Sequence, residues 1–353
     1  MKIKHLTVVF NAPTFLGDAT QSGRWRTPPF KAQLRQWWRI AYASSMRFLV
    51  NVQEMRDIEG HLFGHAWLEN DTDDNHQKIA ARKSEVRLRL SRWDQGQDKQ
   101  WLTQDPPIRH PNVHGRDGKE KPVGAHLYMG YGPLTFQQGT ALKANAAIQA
   151  KESAELALAY PDKHAPLIEQ ALLLMNTYGT VGGRSRNGWG SYSIGDAQSS
   201  SPSATQSLEG CLRHDWPHAI GSDDNGALIW KTNAHKDWAS LMKTLANIKI
   251  GLRTNFIFTT GKNTPAPEDR HWLSYPVTNH SVSSWDGNAR LPNQLRFKIR
   301  PTADGQLEGV VFHMPHLPPT SFRADPRRLL SVWQQVHQHL DQHAAQPLTR
   351  IAA

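Results

Sequence analysis

The sequence predicts a two-domain α+β protein. Strand-helix-strand order can be read in each half of the chain, and a polar stretch at 196–207, DAQSSSPSATQS, separates the halves. A run of small polar residues with a proline is typical of a linker. Strands and helices in this order favour α+β sandwiches of the ferredoxin-like (RRM-like) type. We therefore expect tandem ferredoxin-like domains at 1–195 and 208–353, joined by a linker at 196–207.

The first half begins with an apolar strand at 4–10, followed by a loop rich in proline and glycine. The pair Pro28-Pro29 predicts the start of a helix that runs to about Ser44, since the first helical turn tolerates proline. Apolar residues recur along this helix at the spacing of one buried face. The residues of that stripe are Phe30, Leu34, Trp37 and Ala41.

Alternating residues predict a strand at 84–93 with Arg87 and Arg89 on its outer face. Residues 94–125 are rich in glycine, proline and polar side chains, which predicts a long, mobile insertion. The alanine-rich stretch 140–158 has helical propensity. The other predicted strands are at 126–131, 189–194, 227–232, 294–300 and 308–314, and the other predicted helices are at 163–178, 236–249 and 325–343.

The composition favours a partner that is a polyanion. The 353 residues include 41 lysines and arginines against 31 aspartates and glutamates, a net charge of +10. Such an excess favours nucleic acid, or less often an acidic membrane surface. No apolar run in the sequence is long enough to cross a bilayer, and the N-terminal MKIKHLTVVF lacks the apolar core of a signal peptide. A single cysteine, Cys211, excludes an internal disulfide framework, so we expect a cytoplasmic protein. Because no apolar run could cross a bilayer, we expect no membrane partner.

A glycine-rich segment at 179–193, GTVGGRSRNGWGSYS, is the strongest local signal. Glycine lets a backbone come close to a ligand, because no Cβ stands in the way. The order here is helix, loop, strand, whereas a nucleotide-binding P-loop has strand, loop, helix and a lysine after its glycines. Two interpretations remain. The segment is either a plain connector or a loop that binds RNA phosphates. In the second case the glycines let the backbone contact the phosphates, the arginines pair with them, and the tryptophan stacks or packs. The candidate residues are Gly182, Gly183, Arg184, Ser185, Arg186, Asn187, Gly188 and Trp189.

A second segment, GRWRTPPFKAQLRQWWRIAY at 23–42, holds five basic residues, three tryptophans and no acidic residue. Phosphate pairing combined with base stacking is the usual way to bind single-stranded nucleic acid. The alternative is an amphipathic helix whose basic side is only solvated. The candidate RNA-binding residues here are Arg24, Arg26, Lys31, Arg35, Trp38 and Arg39.

Together the two segments resemble the RAMP superfamily of CRISPR-associated proteins. The resemblance rests on the loop GGRSRNGWGS, the helix RTPPFKAQLRQWWR and the Phe63-Gly64 pair between them, and it covers about residues 5–195. Within the superfamily the chain is similar to the largest RAMP subunits of type III-B (Cmr) effector complexes. The second half matches in layout, with YPVTNH (275–280) and LRFKIR (295–300) as a family-type core, whereas the insertion at 94–125 departs from the pattern.

The resemblance implies two ferredoxin-like domains, the first closed by the glycine-rich loop, and a strand at 140–150. It also implies a non-catalytic subunit that holds CRISPR guide RNA, or the guide–target duplex, beside other RAMP subunits of a ribonucleoprotein. On this view we expect no catalytic residue, no metal ligand and no cofactor.

Two alternatives stay open. The first is an endoribonuclease, since some RAMP relatives process repeat RNA without metal by means of a histidine, for which His5 is the candidate here. The second is a stand-alone binder of single-stranded nucleic acid. Loop aspartates are weak evidence for catalysis, and the HLFGH pair lacks the glutamate of a zinc-protease motif. The residues considered on these grounds are Asp18, Asp73, Asp74, His61, His65, His339 and His343.

Overall fold

The computed structural model describes residues 1–66, 68, 71–73, 75–195, 204–342, 344 and 346–352. Helices and strands alternate through both halves of the chain, which confirms the mixed α+β class. Among the described residues, no helix is both long enough and apolar enough to span a membrane. Asp74, His343 and positions 196–203 of the predicted linker lie outside them.

The elements of the first half follow the predicted order for the most part. Its strands are β1 (Lys2–Phe10), β2 (Arg87–Leu90), β3 (Pro107–Ile108), β4 (Val123–Gly124), β5 (Leu134–Phe136), β6 (Thr140–Leu142), β7 (Ser153–Tyr160) and β8 (Tyr192–Ile194). Its helices are α1 (Thr27–Ser45), α2 (Val52–Phe63), α3 (Ala125–Gly130) and α4 (Ala165–Tyr178).

One antiparallel sheet organises the first half, with the spatial order β2-β7-β1-β8. Even-numbered residues of β1 from Leu6 onward are buried, because successive side chains of a strand point to opposite faces. α1 and α4 pack against this buried face, and the predicted stripe of α1 is fully buried, which confirms it. The opposite face of the sheet is open and carries the exposed Arg87 and Arg89.

The predicted strand at 126–131 is wrong, since these residues lie in and just after helix α3. The backbone N–H groups of His126 and Leu127 donate to the carboxylate of Asp105, at 2.7 and 2.9 Å. A carboxylate that accepts the free N–H groups of the first turn stabilises a helix start. Asp105 belongs to the predicted insertion at 94–125, so its role could not be read from the local pattern.

The insertion at 94–125 is packed into the fold. Trp101 contacts Trp189 and Trp238, with ring centroids 5.7 Å apart in both pairs. β3 and β4 pair with each other inside the insertion. At 140–150, where the resemblance implies a strand, the structure has the short strand β6 and isolated bridges at Ala147 and Ile148 rather than a helix.

The second half follows the same path as the first. Its strands are β9 (Thr205–Ser207), β10 (Ile220–Asp223), β11 (Gly226–Ala227), β12 (Ile229–Lys231), β13 (Asn263–Thr264), β14 (Ser281–Val282), β15 (Leu295–Pro301), β16 (Leu307–His313) and β17 (Thr349–Arg350). Its helices are α5 (Leu208–Cys211), α6 (Trp238–Thr254), α7 (Asp269–Leu273) and α8 (Pro326–Gln342). The sheet order β15-β16-β12-β17 repeats that of β2-β7-β1-β8, and both sheets are antiparallel. In each half the path is β-α-β-β-α-β, with insertions.

The two halves share a hydrophobic core. The ring of Phe312 in β16 lies 6.5 Å from that of Trp37 in α1 and 5.0 Å from that of Tyr178 in α4. The next residue along the strand, Val311, packs instead with α6 and α8. The second sheet is therefore covered on both faces, once by helices of its own half and once by helices of the first half.

A buried lysine fixes this junction. The Nζ of Lys298 in β15 donates to the backbone oxygens of Asn176 and Gly179, at 2.5 and 2.9 Å, at the end of α4. An amino group that donates to the last carbonyls of a helix satisfies groups that have no partner within the helix. The second half thus caps a helix of the first half.

Part of the predicted linker at 196–207 belongs to the fold. Ala204 is buried, and β9 pairs in parallel with β10. Residues 204–207 are therefore structured beside β10.

Candidate nucleic-acid interface

The glycine-rich segment at 179–193 lies between the two halves and is bonded to both. The N–H of Gly183 donates to the oxygen of Phe15 in the first half at 2.9 Å, and the N–H of Phe297 in the second half donates to the oxygen of Arg186 at 3.0 Å. The N–H of Ile299 also donates to the hydroxyl of Ser191 at 2.8 Å. We call this junction the seam.

Packing within the protein accounts for two of the candidate glycines. Gly182 has φ +89°, and a Cβ there would lie 2.7 Å from the oxygen of Phe15. Gly188 has φ +92° and is buried against Leu245 and Phe297. Both positions need glycine for the closure of the seam, and Gly188 is not at the surface where RNA could reach it.

A cleft of about 760 Å³ opens beside the seam, and we call it the seam cleft. Five cations line it, and none of the carboxylates that the structure describes does. Among the described residues, none of the five forms an ion pair with an acidic group within 4.0 Å. The cations are Arg184, Arg186, Lys249, Arg253 and Arg290, and the other lining residues are Ser185, Asn187, Ser274, Tyr275, Pro276, Leu291, Pro292 and Asn293.

Hydrogen bonds to neutral groups hold three of these cations in place. The Nε of Arg184 donates to the oxygen of Tyr131 at 2.6 Å, and the Nη1 of Arg253 donates to the hydroxyl of Ser274 at 2.6 Å. The Nζ of Lys249 donates to Oδ1 of Asn187 at 2.8 Å. These contacts position the charges without neutralising them.

Burial, and after it neighbouring positive charges, lower the pKa values of basic groups at the seam cleft. Burial, followed by the nearby charges of Arg253 and Arg184, lowers the pKa of Lys249 to about 7. Burial, followed by the charge of Arg186, lowers the pKa of Arg296 to about 9. Burial also lowers the pKa of Arg186. An anion bound in the cleft would offset this repulsion.

The four polar or charged candidates from the glycine-rich segment take different roles. Arg184 is exposed, Ser185 and Arg186 are partly exposed, and all three line the cleft. Asn187 also lines it but is buried, and its amide is used inside the protein, since Nδ2 donates to the oxygen of Met129 at 2.7 Å while Oδ1 accepts from Lys249. It is a support for Lys249 rather than a free hydrogen-bonding group.

Neither candidate tryptophan has a ring face to offer a base. Trp189 is fully buried, with Phe15 5.2 Å away between ring centroids. Trp38 is also fully buried, against Tyr42 and Phe63. These two predicted stacking residues belong to the core.

The basic side of α1 is neutralised in part by α2. Glu59, whose side chain is 1% exposed, accepts from both Arg35 and Arg39, the latter at 2.7 Å. This buried acid lies outside the 23–42 segment, so the absence of acidic residues there was misleading. Lys31 is partly buried, which lowers its pKa.

The remaining cations of this segment are at the surface. Arg24 is exposed and lies 3.5 Å from the carboxylate of Asp18, and Arg26 is exposed. None of the basic candidates of 23–42 lines the seam cleft. The structure thus does not bring these basic residues into the cleft that Arg184 and Arg186 line.

Three cations of the cleft were missed from the sequence. Lys249 and Arg253 are four residues apart and so lie on the same side of α6, a spacing that could have drawn attention. Arg290 follows an irregular segment and had no such signal. The second half could be connected to the glycine-rich segment only once the fold was known.

The His61–His65 pair and the loop aspartate Asp18 serve local structure. His61 and His65 each hold the carboxylate of Asp71, at 3.0 and 2.6 Å, and Arg82 pairs with the same group. Asp18 bonds the loop residues Thr20 and Ser22. Among the residues that the structure describes, no three His, Cys, Asp or Glu side chains are arranged to hold a metal ion.

A family comparison matches the part of the chain that contains most of α1 and the glycine-rich segment. Residues 29–193 match the model of the RAMP superfamily. These residues are similar to the RAMP superfamily, and we call them the RAMP segment. This RAMP segment includes most of α1 and the glycine-rich loop, and ends within β8. No curated protein matches the chain.

Three of the solved structures that match the chain align with nearly its whole length. The crystal structure of apo Cmr1 from Pyrococcus furiosus has 14% identity and a TM-score of 0.48, covering 100% of this chain and 99% of that one. A cryo-EM structure of the Type III-B Cmr-beta bound to cognate target RNA and AMPPnP in the presence of ssDNA has 11% identity and a TM-score of 0.46, covering 95% and 98%. A second Cmr-beta structure, bound to cognate target RNA, has 10% identity and a TM-score of 0.47, covering 95% and 99%.

Proposed function

We propose that this chain is a non-catalytic RNA-binding subunit of a type III CRISPR ribonucleoprotein effector, and that the seam cleft holds the RNA backbone. The observation that carries the proposal is the set of five cations around one cleft without a carboxylate. Phosphate contacts of this kind supply most of the sequence-independent affinity of a protein for nucleic acid. The net charge of +10 supports a polyanionic partner.

The RAMP segment supports RNA as the particular polyanion. It contributes Arg184 and Arg186 to the cleft, and the second half contributes Lys249, Arg253 and Arg290. The identical β-α-β-β-α-β path supports the proposal that the halves are tandem ferredoxin-like units. The proposed partners are CRISPR guide RNA, or the guide–target duplex, and the other RAMP subunits of the complex.

The salt dependence of RNA binding tests the cleft. We expect the double variant Arg184→Ala/Arg253→Ala to flatten the slope of log affinity against log salt by roughly one unit per lost phosphate contact. The matched control is Arg87→Ala/Arg89→Ala, which removes the same charge from the open face of the first sheet. An equal flattening in both variants, or none in the cleft variant, would exclude the seam cleft as the binding site.

The same binding reactions test catalysis and assembly. We expect CRISPR repeat RNA to be recovered intact after incubation without added metal. Specific cleavage that is lost in His5→Ala would instead support the endoribonuclease alternative. Purification from the native host should recover the chain with other RAMP subunits, whereas recovery of the chain alone would support a stand-alone binder.

A further inference from the structure

The seam cleft borders a stack of planar side chains that the proposed function does not use. The rings of Phe258 and His280 are nearly parallel, at 14°, with centroids 3.8 Å apart. The guanidinium carbon of Arg270 lies over the Phe258 ring, 5.1 Å from its centroid. The imidazole of His280 therefore has one ring face on Phe258, and among the described residues no other aromatic ring packs against it.

The imidazole of His280 is held in a fixed orientation. Its Nδ1–H donates to the oxygen of Gly261 at 2.9 Å, and its backbone N–H donates to the oxygen of Val277 at 3.1 Å. The pairing of β13 with β14 anchors the chain directly after it. A ring that is already fixed loses little conformational freedom when a ligand stacks on it.

The stack is also accessible. His280 and Phe258 are partly exposed, and Thr278 and Asn279 before His280 are exposed. Ile257, next to Phe258, is 80% exposed. A planar ligand could therefore reach the outer face of the imidazole and rest against an apolar neighbour.

The chain connects this stack directly to the cleft. Ser274, Tyr275 and Pro276 line the cleft, and His280 follows four residues after Pro276. The charges of Arg253, in the cleft, and Arg270, in the stack, repel each other. The cleft and the stack are therefore neighbours through Arg253 and Arg270.

We propose that the outer face of His280 stacks on an unpaired base of an RNA strand whose phosphates lie in the seam cleft. Single-stranded RNA presents anionic phosphates and planar bases in alternation, and a cationic cleft beside a fixed aromatic face matches both. Bases within a duplex are already stacked on each other and do not offer a free face. The inference rests on the proposed function and adds that the strand is unpaired at this edge of the cleft.

Three ligands separate base stacking from phosphate binding: a single-stranded RNA oligonucleotide, a duplex of the same sequence and inorganic polyphosphate. For His280→Ala we expect the affinity for the single strand to fall about fivefold or more, as found when an aromatic platform for a base is removed. The salt slope, and the affinities for polyphosphate and duplex, should stay as in the unmodified protein. His280→Phe keeps an aromatic face and should restore single-strand binding, and Thr278→Ala is the local control.

The possible failures can be told apart. If the unmodified protein binds RNA with a steep salt slope and His280→Ala binds the single strand equally well, the stacking proposal is wrong while the cleft proposal survives. An equal loss of polyphosphate and single-strand binding would also overturn it, because His280 would then support the phosphate site. If the unmodified protein shows no salt-dependent RNA binding, both the stacking proposal and the cleft proposal are wrong. Should His280→Ala fail to fold, weak single-strand binding by a folded His280→Phe variant overturns the proposal.

Discussion

Lys249 shows how the seam cleft acts on a single residue. Its ammonium group donates to Asn187 and lies 5.7 Å from the centre of the Tyr128 ring, with Arg184 and Arg253 nearby. No carboxylate lines the cleft to hold the proton. The pKa of about 7 therefore places the loss of this charge within the physiological range.

RNA affinity should fall as the pH rises from 6 to 8, because Lys249 loses its charge across that interval. Lys249→Met should remove most of this dependence, measured as the dissociation constant at fixed salt. Burial lowers the pKa of His316 to about 4, so this histidine should not mimic the effect. An unchanged pH profile in Lys249→Met would contradict the assignment.

The stability of the free protein has the opposite sign of dependence. Between pH 7 and about 10, the unfolded chain keeps the Lys249 proton and the folded chain does not. The free energy of unfolding therefore rises with pH over that range, by the linkage of proton binding to folding. Urea unfolding at two pH values should show a smaller rise in Lys249→Met than in the unmodified protein.

At the level of residues, the sequence singled out the cations next to the glycines and left open whether Trp189 stacks or packs. Arg184 and Arg186 stood out because they adjoin residues that allow close backbone approach. Trp38 and Trp189 could not be placed from the sequence, because a tryptophan in a basic segment packs or stacks according to contacts made elsewhere. For Trp38 the deciding contact is with Phe63 of α2.

Among the elements, helix α1 is buried on two sides. Trp37 faces Phe312 of the second half, whereas Trp38 faces α2. The apolar spacing predicted the helix and its first buried side. The second side follows from α2, whose buried Glu59 pairs with the arginines that looked free.

Removing Glu59 should weaken the α1–α2 contact. We expect Glu59→Ala to lower the free energy of unfolding by about 2 kcal/mol, less than for a fully buried pair because both arginines reach solvent. Urea unfolding measures the change. Glu54→Ala, at an exposed position of the same helix, should cost less than about 0.5 kcal/mol, and equal costs for the two variants would contradict the role given to Glu59.

The two halves of the chain do not have separate cores. The polar stretch at 196–207 and the repeated element order predict two domains, and that division stays a prediction. The shared core could not be predicted, because alternation along β16 shows that both faces are apolar but not which helices cover each one. The contact of Phe312 with Trp37 and Tyr178 joins residues from opposite halves.

The first half alone should therefore be poorly folded. A fragment of residues 1–195 would expose the face of α1 and α4 that Phe312 covers, and would lose the cap that Lys298 places on α4. We expect this fragment to bind a hydrophobic dye and to aggregate, unlike the full chain. A soluble, cooperatively unfolding fragment would show that the first half does not need the second.

The covering of α1 and α4 by β16 also has a consequence for synthesis. A ribosome completes Tyr178 well before Phe312, and at about 5–20 residues per second the interval is on the order of ten seconds. During this interval the surface around Trp37 is an exposed hydrophobic patch on the nascent chain. The translation rate of the second half then determines how long a chaperone must bind this patch of the first half to prevent aggregation.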